Sequence, residues 1–146
     1  MNHQAIDILL VEDSQADAEM TMRALKRKNL CNNLMWLKDG VEAIEYLLRQ
    51  GAHAGRTPGN PKLILLDLKM PRMNGIEVLK RIRETPELAL LPVVILTSSE
   101  EERDVVQSYE LGVNSYVVKP VSFENFAEEV IKTGCYWLLV NRVPNT

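Results

Sequence analysis

Short, nearly continuous apolar runs alternate along this chain with longer stretches whose apolar residues recur every three or four positions. Ile6 to Val11 (IDILLV) is too short for a helix and reads as a strand buried on both faces. Glu12-Asp13-Ser14 follows with helix N-cap chemistry, then Ala18, Met22 and Leu25 at helical spacing, with Lys26, Arg27 and Lys28 in the last turn. Asn33 to Lys38 (NLMWLK) predicts a second strand, and Asp39-Gly40 turns the chain into a helix carrying Val41, Ile44, Tyr46, Leu47 and Leu48. Residues 51–61 (GAHAGRTPGNP) form a loop insertion, with His53 as an exposed loop residue. Leu63 to Leu66 (LILL) is the third strand, ending on Asp67, and a helix with Ile76, Val78, Leu79 and Ile82 on its apolar side comes after the 70–75 loop. Pro92 to Leu96 is the fourth strand, followed by Thr97-Ser98-Ser99 and a helix from Glu100 to Leu111 that Gly112 stops. Ser115 to Val118 (SYVV) is the fifth, closed by Lys119-Pro120, and Ser122 caps a last helix running from Phe123 to about Val140.

Strands alternating with helices require crossover connections, so the sheet is parallel and covered by helices on both faces. The class is α/β, a doubly wound sheet of five strands with five helices. The 146 residues are the size of one domain, and 46% hydrophobic with 25% charged residues is ordinary for a globular chain. We expect a single domain over 1–146, with its core at about 6–132 and a helical extension at about 133–146.

Charge narrows the function. A formal net charge of −3, with no run of like charge reaching five residues, argues against nucleic-acid binding by broad electrostatics, which would need a basic face. The amino-terminal stretch has no basic n-region and carries Asp7 within its apolar run, and Cys135 to Val140 is far too short to span a bilayer. Cys31 and Cys135 are too few for a disulfide framework or a metal knuckle, so both are read as free thiols of a cytoplasmic protein.

In doubly wound sheets the functional crevice lies beyond the carboxyl ends of the strands. The polar residues there are Glu12, Asp13, Asp67, Thr97 and Lys119. Carboxylate pairs at about 4 Å repel by roughly 4 kcal/mol at an effective dielectric near 20, so the cluster needs a cation. An all-oxygen site without His or Cys suits Mg²⁺ rather than zinc. Asp67 is the candidate nucleophile, because an aspartyl carboxylate can accept a phosphoryl group as an acyl phosphate. Lys119 would offer a charged donor to the phosphoryl oxygens, and the Thr97 hydroxyl another. Each residue also has a plain reading: Asp13 or Ser14 as a helix cap, Thr97 as a cap, Lys119 as a solvated turn residue. Their joint occurrence at the ends of strands 1, 3, 4 and 5 favours the chemical one.

These residues resemble the receiver domains of two-component response regulators. The resemblance is carried by LLVEDS at 9–14, LLDLKMPRMNG at 65–75, VVILTSS at 93–99 and SYVVKP at 115–120, and covers about Ile6 to Lys132. It implies a flavodoxin-like sheet of order 2-1-3-4-5. It also implies Asp67 as phospho-acceptor, Asp13 as a direct Mg²⁺ ligand, Glu12 as a ligand mainly through water, and the backbone carbonyl of Lys69 as a further ligand. Thr97 and Lys119 become the phosphoryl-binding pair, with Thr97 and Tyr116 as the switch. In relatives the bond matching Lys119-Pro120 is often cis. Glu12 stands where Asp is commoner, and Lys69 puts a side-chain cation two residues after the acceptor.

The 51–61 insertion and the tail around Tyr136 to Val140 look more like the small stand-alone regulators that partner phytochrome-type sensor histidine kinases than like chemotaxis regulators. No output domain is expected. The tail suggests a homodimer with Phe126, Val130 and Trp137 as candidate seam contacts. Two rivals are weighed: a binding module of this fold that has lost phosphorylation, which the complete acid, Thr97 and Lys119 set argues against, and a phosphatase of the haloacid dehalogenase type. The latter needs a second acid two residues past the nucleophile, where Lys69 stands. The resemblance implies a sensor histidine kinase as phosphoryl donor and a downstream protein as target.

Overall fold

The structure, a computed structural model, describes residues 6–30, 33–120 and 122–142. Strands β1 (Ile8–Val11), β2 (Leu34–Leu37), β3 (Leu63–Leu66), β4 (Val93–Thr97) and β5 (Ser115–Val118) alternate with helices α1 (Gln15–Arg27), α2 (Gly40–Leu48), α3 (Gly75–Glu84), α4 (Glu102–Glu110) and α5 (Phe123–Cys135). The five strands form one parallel sheet in the order β2-β1-β3-β4-β5. The doubly wound reading is therefore correct in class, order and helix count.

Successive strand residues point to opposite faces, and the two faces have separate cores. Leu9, Val11, Ile64, Leu66, Val93 and Ile95 pack with Ile44 and Leu47 of α2 and Val78, Leu79 and Ile82 of α3. Ile8, Leu10, Leu63, Leu65, Val94 and Leu96 pack with Ala18 and Leu25 of α1 and Phe126, Ala127 and Val130 of α5. β1, β3 and β4 are buried throughout, whereas every residue of β5 is half-buried, as its edge position dictates.

Side-chain caps fix where the helices begin. Ser14 Oγ accepts from Asp17 N, Asp39 from Glu42 N, and Asn74 forms a reciprocal capping box with Glu77. Helix α4 starts two residues later than its sequence suggests, because Ser99 Oγ accepts from Glu101 N and donates to Asp104, holding the chain in a turn. The 51–61 insertion contains a short 3-10 turn, Gly51–His53, and is braced by Arg56, whose guanidinium donates to the terminal carbonyls of α2 at Tyr46 and Leu47. His53 is not the exposed residue expected: it packs edge-on against Tyr46 at 5.2 Å between ring centroids, and its Nε2 lies 3.7 Å from Glu42. No peptide bond among the described residues is cis, so Lys119-Pro120 is trans, which an X-Pro bond favours by about 0.5–1 kcal/mol.

The last helix does reach Val140, but Tyr136–Val140 winds as a π-helix. Two of the three proposed seam contacts need correction: Phe126 and Val130 are only 2% and 1% exposed, packed into the core beneath α5 and unavailable to a partner. Trp137 packs partly against the same core. Within Tyr136–Val140 the apolar side chains left in solvent are Tyr136, Leu139 and Val140. Cys135 is a free thiol, and Cys31 lies outside the described residues.

Candidate functional site

Register brings the polar strand ends together. Val11 is level with Leu66 across the β1–β3 ladder, so the next residues, Glu12 and Asp67, leave the sheet side by side, and Asp67 N donates to Val11 O. Thr97 ends β4 level with Val118 of β5, and Lys119 N donates to the Thr97 carbonyl at 2.7 Å. The acids, Thr97 and Lys119 thus reach one edge from four different strands, as the topology requires.

Glu12, Asp13 and Asp67 each offer a carboxylate oxygen, all within 4.8 Å of one another. Glu12 and Asp67 are buried and Asp13 is exposed. Asp13 is free for this because Ser14, not Asp13, caps α1. Asp67 Oδ1 accepts from Leu68 N at 2.8 Å, which orients the carboxylate. Gly75 lets α3 begin directly under it: a Cβ there would lie 2.3 Å from the Asp67 carbonyl oxygen. Arg72, at φ +64°, clamps the loop after β3 to Asp39 with bidentate hydrogen bonds of 2.8–3.2 Å. Sequence reasoning missed this brace, since it reads Asp39 as the turn into α2 and Arg72 as part of the 70–75 loop.

Lys119 is no solvated turn residue. Its side chain is 7% exposed, and Nζ lies 2.6 Å from Glu12 Oε1, 2.8 Å from Asp17 Oδ2 and 3.4 Å from Asp67 Oδ2. Asp17 is a further residue the sequence reading passed over. An acid in a first helical turn is usually explained by the cap and dipole, and only its four-residue spacing from Asp13 hinted at more.

The electrostatics follow from this packing. Burial, together with hydrogen bonding and repulsion from Asp67, pushes the Glu12 carboxyl up to about 8 against the opposing pull of Lys119. Burial disfavours the Lys119 ammonium, but Asp17, Glu12 and Asp67 outweigh it and hold the group more firmly protonated than an ordinary lysine. The cluster is short of positive charge, and an oxygen-lined site of this kind fits a hard divalent cation.

Thr97 is fully buried, with Oγ1 3.4 Å from Ser99 N. Tyr116 in β5 is half-buried and donates from its hydroxyl to the Ser99 carbonyl at 3.0 Å. Thr97 and Tyr116 therefore meet the same short loop between β4 and α4.

A doubly wound parallel sheet of this order, with an acid cluster, a threonine and a lysine at its carboxyl edge, defines a phospho-acceptor signalling domain. Residues 8–131 match the model of the response regulator receiver domain, and the chain belongs to that family. Receiver domains act as signalling phospho-acceptors in two-component systems and bind Mg²⁺ or Mn²⁺ at an acidic site. The chain is 42% identical over 137 residues to the probable methanogenesis regulatory protein FilR2 of Methanothrix harundinacea (strain 6Ac), covering 94% of this chain and 86% of that one. It is 40% identical to response regulator Rcp1 of Synechocystis sp. over 94% of this chain and 92% of Rcp1. The crystal structure of Mn²⁺-bound Rcp1 superposes with a TM-score of 0.88, covering 94% of this chain and 98% of that one. The phosphorylated cyanobacterial phytochrome response regulator RcpA superposes at 0.90 with 35% identity, over 97% and 100%.

Among the described residues no helix is long and apolar enough to cross a membrane.

Proposed function

We propose that this chain is a cytoplasmic, single-domain response regulator that takes a phosphoryl group onto Asp67 from a sensor histidine kinase of the phytochrome type. The observation that carries the reading is the Lys119 ammonium held in contact with Glu12 and Asp67 while Asp13 completes the acid cluster. Asp13, Asp67, the backbone carbonyl of Lys69 and, through water, Glu12 would hold Mg²⁺. The ion would supply positive charge to the phosphoryl oxygens, in the manner general to phosphoryl transfer.

The chain's own groups do the rest. A carboxylate oxygen of Asp67 attacks phosphorus, the phosphorus–nitrogen bond of the kinase phosphohistidine breaks, and the imidazole leaves with the electron pair. Lys119 and the Thr97 hydroxyl donate to the phosphoryl oxygens. The roughly two negative charges gained by Asp67 draw Thr97 inward, and Tyr116 turns into the space released, so that the α4–β5–α5 surface changes for a downstream protein. The haloacid dehalogenase reading has no support, because Lys69 offers no acid where that chemistry needs one. Self-association is part of the proposal, with the seam moved to the exposed π-helical tail.

Acetyl phosphate with Mg²⁺ is expected to add one phosphoryl mass to the wild-type chain and none to Asp67→Asn. Labelling of the variant at the wild-type level would sink the assignment.

A further inference from the structure

Asp17 stands apart from the strand-end acids. It belongs to the first turn of α1, and its oxygens are not in the cluster formed by Glu12, Asp13 and Asp67. A capping role does not account for its side chain. In a capping box the third helical residue would reach back to the amide of the cap, but Ser14 N already donates to Glu12 Oε2, and Asp17 Oδ2 goes instead to Lys119 Nζ at 2.8 Å.

An ammonium has three donors and no more. Here the three acceptors near Lys119 Nζ are Glu12, Asp17 and Asp67. Two of them are residues that a metal ion and a phosphoryl group would also claim. Asp17 is the third, reaching the same atom from a helix on the sheet's flank. A lysine side chain is a flexible four-carbon stem ending in a point charge, so where it points depends on what holds its tip.

We infer that Asp17 is a positioning residue for Lys119: it anchors one donor from the helix side, so the ammonium stays aimed over Asp67 when a phosphoryl group arrives there. The inference rests on the phospho-acceptor reading of Asp67 and Lys119 and adds the residue that orients the donor.

The test is a double-mutant cycle read by calorimetric titration of the full chain with beryllofluoride, a phosphoryl analogue, in excess Mg²⁺. Asp17→Ala is expected to weaken analogue binding about tenfold, while the same change in a Lys119→Ala background alters it less than twofold. If the Lys119→Ala chain binds too weakly for calorimetry, the rate of labelling by acetyl phosphate closes the same cycle. Equal losses in both backgrounds would mean that Asp17 acts through the general field and not through Lys119. Tighter binding by Asp17→Ala would make it a competitor, and unchanged binding a bystander, and either overturns the positioning role. A wild-type chain that fails to bind the analogue brings down the phospho-acceptor reading as well, whereas failure in the variants alone leaves that reading intact.

Discussion

Replacing Glu12 by Gln should make the metal-free chain more stable, by an amount that grows with pH. The carboxyl is 2% exposed and is pushed from its ordinary 4.5 to about 8, first by burial and then by Asp67. Between those two pH values the folded chain keeps a proton on Glu12 that the unfolded chain has released. Stability therefore falls as pH rises through the window, and the loss is complete above about pH 8. At roughly 1.4 kcal/mol per pH unit the penalty is bounded at about 5 kcal/mol above the window and about 3 kcal/mol at pH 7. Gln keeps the shape, an acceptor for Lys119 and a donor for Asp67, and has no charge to desolvate. Urea unfolding in EDTA at pH 5, 7 and 9, followed by circular dichroism, should give a wild type that weakens along the series and a Glu12→Gln chain that stays nearly level. The two should converge at pH 5. Parallel curves would refute the reasoning, because the cost of the buried carboxylate would then lie elsewhere. Mg²⁺ should restore much of the wild-type loss at pH 9 and little in the variant, since binding to the folded chain alone stabilises it.

Two further outcomes follow from packing. Gly75→Ala would set a Cβ 2.3 Å from the Asp67 carbonyl oxygen and 2.7 Å from Leu68 Cα, so the loop after the acceptor must shift. We expect a loss of about 2 kcal/mol in urea unfolding and weaker Mg²⁺ binding, and wild-type values in both would contradict the close approach. Leu139→Glu, at a side chain 71% exposed in the monomer, should weaken self-association in sedimentation runs across a concentration series while leaving the unfolding midpoint unchanged at concentrations where both chains are monomeric; a wild type that is monomeric throughout ends the dimer reading.

Hydrophobic patterning carried the fold because the central strands of a parallel sheet are buried on both faces and read as unbroken apolar runs. Ile8–Val11 and Leu63–Leu66 could hardly be anything else. The strand-end acids were legible for the same reason, since topology alone sends them to one edge. Residues whose meaning depends on what lies opposite were not. Phe126 and Val130 show an apolar helix face, but periodicity cannot say whether the sheet or a second molecule covers it, and the sheet does. His53 sits among glycines and prolines that read as open loop, yet Tyr46 and Glu42 close around it. Asp17 is indistinguishable by sequence from an ordinary first-turn acid, and its partner Lys119 lies 102 residues away.

On the proposed switch, the charge signal would pass to one edge strand. Thr97 and Lys119, the two donors proposed for the phosphoryl group, lie at the ends of β4 and β5, and the Lys119 amide is bonded to the Thr97 carbonyl. Tyr116 is in the same β5, with its hydroxyl bonded to the loop that follows Thr97. β5 is half-buried throughout and has a strand partner on one side only, so a small displacement there disturbs less packing than one in β1, β3 or β4, whose residues are all buried. A charge gained at Asp67 would pull on both donors, and of the two strands that end at them β5, which carries Tyr116, is the less buried. The buried strands β1 and β3 would keep the acids in register, while the end of β4 and the edge strand β5 would supply the motion that a partner reads.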